Sequence, residues 1–187
     1  MKLLKLPSRV SIHAQSDVDL QQVFDLTNAA RSNGIEVINA SLAYEKYIEE
    51  IIEKYIFIER DHPNIGFFRN FILSADWLTF SAKRKIIIGI VQKEKYFTGN
   101  DISLFEQQLR RIMSYRNAFA HGDIVFREGN VYISYFEGIR QEKLLDDAYW
   151  DKLEEVYIDV WNLITDIREI LGIEDDVQNI YAEQVDE

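Results

Sequence analysis

Arg116-Asn117-Ala118-Phe119-Ala120-His121-Gly122 is the stretch of this chain best equipped for chemistry. Arg is a permanent, planar cation whose fork matches a phosphate. His exchanges a proton near neutral pH and can serve as general base or acid. Arg116 and His121 together could hold a phosphodiester and move the proton of a ribose hydroxyl, with Asn117 orienting either group. The same residues also have a structural account. Arg116 would pair with a carboxylate of a neighbouring helix, His121 would offset the dipole of a helix C-terminus or stack on Phe119 or Tyr115, and Asn117 would bond to backbone.

Spacing matters to the choice. Five residues at ~100° each set Arg116 and His121 ~140° apart around a helix. Either the helix ends at Ala120 and His121 folds back, or a two-fold dimer brings two such segments to one cleft. Gly122 fits a left-handed helix cap. Further cations nearby are Arg110-Arg111 and Lys83-Arg84-Lys85. Arg110 and Lys83 are candidate contacts to a polyanion backbone, or exposed cations of a helix surface.

Elements that would position this stretch follow from apolar periodicity. A first helix is expected over 16–33, with Ser16 as N-cap and Asn33-Gly34 to end or kink it. The clearest helical stripe covers 35–58: Ile38, Leu42, Ile48, Ile51, Ile52, Tyr55 and Ile56. Two shorter helices, or one kinked helix, fill 66–93. The motif helix runs over 102–120, capped by Asn100 or Asp101. After Gly122 the pattern changes to alternation: Ile124, Phe126, Val131, Ile133 and Tyr135 flank Glu128-Gly129-Asn130, which reads as a β-hairpin over 123–136. A last helix covers 146–171, with Trp150, Tyr157 and Trp161 at core spacing. The expected fold class is all-α: an up-and-down four-helix bundle with a small β-hairpin inserted before the last core helix. Residues 1–172 read as one domain and 173–187 as an acidic tail.

Composition narrows the function classes. The 187 residues contain no Cys, so disulfides and thiolate metal sites are excluded, and His13, His62 and His121 show no ligand spacing. No metal or other cofactor is expected. No apolar run approaches membrane-spanning length, so a cytoplasmic protein without membrane contact is expected. The net charge of −11 argues against a simple nucleic-acid binder, but it is unevenly spread. Residues 82–127 carry 9 Lys/Arg against 4 Asp/Glu, whereas 146–187 carry 2 against 14. The Arg-His stretch therefore lies in the one basic block, either a local phosphate-binding surface or a solvated face.

The Arg116-Asn117 start, the four residues between Arg116 and His121, and the helical context together resemble the Arg-x(4–6)-His motif of HEPN domains. The resemblance spans most of 20–172, with only 116–122 specific. It implies a four-helix bundle whose motif lies near the end of the third core helix. It also implies a metal-independent endoribonuclease, with a cleft shared across a homodimer and a 2′,3′-cyclic phosphate product. His121 would be general base or acid, Arg116 would hold the scissile phosphate, and RNA would be the substrate. Such proteins include toxins and antiphage or stress-response effectors restrained by an antitoxin or regulatory protein. Family members paired with a nucleotidyltransferase carry a Tyr two residues after the His, where this chain has Asp123. The alternative within the same resemblance is a non-catalytic helical interaction or regulatory module.

Overall fold

The computed structural model describes residues 11–13, 20–59 and 61–173. The expected N-cap at Ser16 and the acidic tail beyond Ile173 lie outside the described residues. The chain is mostly helical with a small sheet. In order come β1 (Ser11–His13), α1 (Leu20–Ile56), α2 (Ile65–Phe67), a π-helical turn (Phe68–Leu73), α3 (Phe80–Glu94), α4 (Gly99–His121), β2 (Asp123–Arg127), β3 (Asn130–Glu137), β4 (Ile139–Leu144) and α5 (Asp147–Ile170).

The first correction concerns Asn33-Gly34. The expected stop does not occur, and α1 is one continuous helix of 37 residues. A glycine in a helix interior costs about 1 kcal/mol relative to Ala, yet this one is buried under the Phe119 ring. A Cβ at Gly34 would lie 2.7 Å from Phe119 Cδ1. Gly34 is thus a point of close approach between α1 and α4, and tertiary packing overrides its local tendency to end a helix.

The main core joins four helices. Ile48, Ile51 and Ile52 of α1 meet Ile87 and Val91 of α3, Phe105, Leu109 and Ile112 of α4, and Val160, Ile164 and Ile167 of α5, all essentially without solvent contact. Periodicity alone overreached at its edges: Leu42, Ile56, Phe67, Phe71 and Trp161 are exposed. The 66–93 region is interrupted rather than one kinked helix, because residues 74–79 are not helical. Thr79 then caps α3, its hydroxyl accepting from the Ala82 amide. The cap of α4 is Thr98, not Asn100 or Asp101, and the Thr98 hydroxyl bonds to the Asp101 carboxylate. Asp146 caps α5 and accepts from the Tyr149 amide.

The mostly helical chain agrees roughly with the all-α expectation, but the expected hairpin is part of a larger four-stranded sheet in the order β1-β2-β3-β4, parallel only between β1 and β2. The expected hairpin is present, with Asp123 opposite Ser134 and Arg127 opposite Asn130. Glu128 and Gly129 both adopt positive φ, 53° and 80°, which is the two-residue turn that matches strand twist. β4 was not expected. Its sequence Ile-Arg-Gln-Glu-Lys-Leu is exposed along almost its whole length, so no alternation marks it. Val23 and Ala30 of α1 and Ala118 of α4 pack on Ile124, Phe126, Val131 and Ile133. The sheet therefore braces the end of α4 that carries the motif.

Candidate active-site cleft

α4 stays helical through His121, so His121 does not fold back after Ala120. Gly122 corrects a second expectation. Its φ of −90° and ψ of 166° are extended, not left-handed. Its lack of a side chain is needed for space instead, since a Cβ would lie 2.3 Å from the Ala118 carbonyl oxygen and 3.0 Å from that of Ser134. Helix passes directly into strand here, and β3 closes over the junction.

Arg116, Asn117, Ala120 and His121 line one open cleft of about 360 Å³ within a single chain. Ile38 and Leu42 of α1 form one wall, and Thr79, Phe80 and Ser81 at the start of α3 form another. Met113, one turn before Asn117, also borders it. Two side chains at the edges of one helix face thus reach a common space despite their angular separation. Asn117 and His121 are exposed at the cleft.

Arg116 is only partly exposed, because Arg116 Nη1 donates to Glu45 Oε2 at 3.1 Å. The other oxygen of that carboxylate accepts from Lys83 Nζ at 2.7 Å, and Lys83 also donates to Glu49. Lys83 is 5% exposed. Burial alone would depress its pKa, but the hydrogen bonds it donates to Glu45 and Glu49, with their negative charges, outweigh this and hold it above the ordinary lysine value. Lys83 is therefore a buried structural cation, which corrects its reading as a surface contact to a polyanion. Glu45 ties the exposed guanidinium of the cleft to a charge fixed in the core, which restricts the positions Arg116 can take.

Arg110 is exposed but does not line the cleft, and it pairs with Glu106 one turn earlier at 2.6 Å. Arg84, the neighbour of Lys83, is also buried; its Nη1 reaches Met113 Sδ at 3.8 Å. The sequence reading missed Glu45 as the partner of Arg116, and Met113, Thr79 and Ser81 as cleft residues. A signal for Glu45 was present: Glu45, Glu49 and Glu53 repeat every four residues and form a carboxylate row along α1. Glu53 takes Arg69 at 2.6 Å, continuing the same row of pairs. Nothing local marks the other three, which the packing of α3 on α4 brings in.

Chemically the cleft offers one oriented cation, one exposed imidazole, one carboxamide and two hydroxyl side chains. That set suits an oxyanion ligand beside a proton-transfer step. Among the described residues no group of three or more His, Asp or Glu side chains is placed to hold a metal ion. No helix among them is long and apolar enough to cross a membrane. Compared with known proteins, the chain matches no family model, no curated protein and no solved structure.

Proposed function

We propose that this protein is a metal-independent endoribonuclease of HEPN type, working in the cytoplasm as a homodimer with a composite Arg/His cleft. The observation that carries the reading is the convergence of Arg116, Asn117 and His121 on one cleft, with Arg116 steered by Glu45. In the reaction, a ribose 2′-oxygen attacks the adjacent phosphorus as His121 removes its proton. The bond from phosphorus to the 5′-oxygen breaks, and that oxygen is protonated by an imidazolium, which the second copy of the chain supplies. The products are a 2′,3′-cyclic phosphate and a 5′-hydroxyl. Arg116 holds the non-bridging oxygens as charge builds on them.

An apolar stripe supports the dimer. Phe24 and Ile35 on α1 are 60% and 57% exposed, and Leu42, further along the helix, is 42% exposed. These positions follow helical spacing, and Ile38 and Leu42 also border the cleft. A second copy covering this stripe would set two motifs side by side. The up-and-down bundle of HEPN domains is part of the same reading, as is a role as toxin or antiphage effector restrained by a partner protein.

The second reading is a non-catalytic interaction or regulatory module. It is favoured by the Arg116–Glu45–Lys83 chain, in which Arg116 already has a structural partner. The deciding experiment treats RNA with purified protein in EDTA and identifies the product ends. Cyclic phosphate termini made by wild type, and not by His121→Ala or Arg116→Ala, support the nuclease. Intact RNA at micromolar protein selects the second reading.

A further inference from the structure

Three cations and two carboxylates gather at the cleft, with Arg116 lining it and Lys83 and Arg84 buried. Lys83 and Arg116 share Glu45, and Lys83 also holds Glu49. Arg84 has no carboxylate among the described residues within ion-pair distance. It is 7% exposed, and among the described residues its Nε has no hydrogen-bond partner and its Nη1 has the Met113 thioether, a weak acceptor. The nearby Glu106 is engaged by Arg110 at 2.6 Å. Burial, and then the charge of Arg110, hold the Arg84 guanidinium below its ordinary pKa.

A buried cation with no carboxylate in direct contact is expensive to maintain, and in a core with no other role a hydrophobic residue would serve as well or better. Its position gives it a use. Arg84 lies one turn beyond Phe80 and Ser81 on α3, whose side chains border the cleft, and the group it touches, Met113, borders the cleft from α4. The unbranched, adaptable thioether of Met113 thus touches the guanidinium and borders the cleft.

We propose that Arg84 is a concealed second cation of the cleft, uncovered when Met113 swings aside, and that with Arg116 it forms a two-point site for a phosphate oxyanion. Arg116 is the exposed, steered half and Arg84 the buried half. The anion supplies the missing negative charge and the acceptor for Nε, so binding removes an existing penalty as well as making a bond. The site deepens the nuclease reading by giving the scissile or adjacent phosphate a second guanidinium. Binding of phosphate alone does not depend on that reading.

The test uses inorganic phosphate and full-length protein. Thermal melting is followed against phosphate concentration at constant ionic strength, with chloride as the balance. Wild type is expected to melt progressively higher. Arg84→Met, of similar volume and without the charge, is expected to fold and to bind phosphate about tenfold or more weakly, as expected for loss of a hydrogen bond to a charged group. Met113→Ala is expected to bind more tightly than wild type, because the cover is gone. An equal response of wild type and Arg84→Met overturns the proposal, as does no response in wild type. If Arg84→Met does not fold, Met113→Ala decides, and unchanged or weaker affinity overturns it. Phosphate binding without RNA cleavage sinks the nuclease reading and leaves the site; cleavage without an Arg84-dependent response does the reverse.

Discussion

Glu45 joins two cations in very different surroundings, so its removal is expected to hurt the fold more than removal of the whole group of charges. Its carboxylate is 14% exposed and contacts Lys83 at 2.7 Å and Arg116 at 3.1 Å. Glu45→Ala leaves Arg116 free to turn to solvent, at little cost. Lys83, at 6% side-chain exposure, cannot turn away and keeps Glu49 alone. Breaking a buried pair by removing one partner costs about 3–5 kcal/mol. Retention of Glu49 should reduce this to about 2–3 kcal/mol, which is roughly a 30- to 150-fold shift in the folding equilibrium. Lys83→Met removes the charge that cannot escape, leaves Glu45 with Arg116, and frees Glu49, whose side chain is already 23% exposed. It should cost under about 1 kcal/mol.

The double variant Glu45→Gln/Lys83→Met separates this account from simple contact loss. If the buried charge is the issue, the double variant is more stable than Glu45→Gln alone, because the orphaned ammonium has been removed with its partner. The assay is urea unfolding followed by circular dichroism, read as the midpoint at unchanged slope. A double variant no more stable than Glu45→Gln refutes the reasoning and makes Glu45 a packing residue. In the nuclease reading, RNA cleavage by Glu45→Gln also falls while binding persists, because Arg116 loses its steering.

Four other outcomes are expected. Gly122→Ala should destabilise by more than about 2 kcal/mol, since its Cβ would meet a backbone carbonyl at 2.3 Å that cannot rotate away; Gly34→Ala, which meets a ring and gains helix propensity, should cost less in the same urea assay. Stability should be flat to about pH 9.5 and fall above pH 10. Burial pushes Tyr157 from 10.0 up to about 12, and also raises Tyr44 and Tyr149, so the unfolded chain ionises first and the folded state loses a few kcal/mol as pH rises from about 10 to 12; urea midpoints that do not move between pH 9 and 11.5 would contradict this. In the nuclease reading, His121→Ala should reduce cleavage by about 10²–10⁴ with melting near wild type, and Arg116→Lys should rescue Arg116→Ala poorly because Lys lacks the planar fork. If the proposed dimer forms through the exposed stripe of α1, Ile35→Glu should leave a folded monomer by light scattering; a wild-type monomer refutes the dimer, and a dimer that persists in the variant places the interface elsewhere.

The parts of the fold legible in the sequence are those whose signal is local. The motif helix expected over 102–120, the last helix expected over 146–171, and the change to alternation after Gly122 all appear close to where they were read. The parts that were not legible depend on distant neighbours. Asn33-Gly34 has every local mark of a stop, and only the Phe119 ring from α4 makes the glycine a contact point inside a helix. β4 has no apolar face of its own, and its register against β3 is set by the single Gly138 between them, at φ 74°. Gly122 was identified as special for the wrong reason: a left-handed cap and a backbone crowded by a strand both demand glycine, and sequence alone does not separate them.

The candidate cleft shows the same division at the level of single side chains. Arg116 and Asn117 lie about one turn before His121 on one helix, so their association could be read directly. Lys83-Arg84-Lys85 is the instructive contrast, because three adjacent cations look like one basic turn facing water. α3 is packed between α1 and α4, and successive residues are ~100° apart on a helix. Lys83 consequently turns to Glu45 and Glu49 of α1, Arg84 turns to Met113 of α4, and only Lys85 is exposed. A run of like charge thus resolves into a core ion pair, a buried guanidinium without a carboxylate, and a solvated surface group. The basic block therefore offers the cleft less exposed charge than its composition suggests. What it does offer is a steered Arg116 in front and the concealed charge of Arg84 behind, which favours a ligand that enters the cleft over one that lies across the surface.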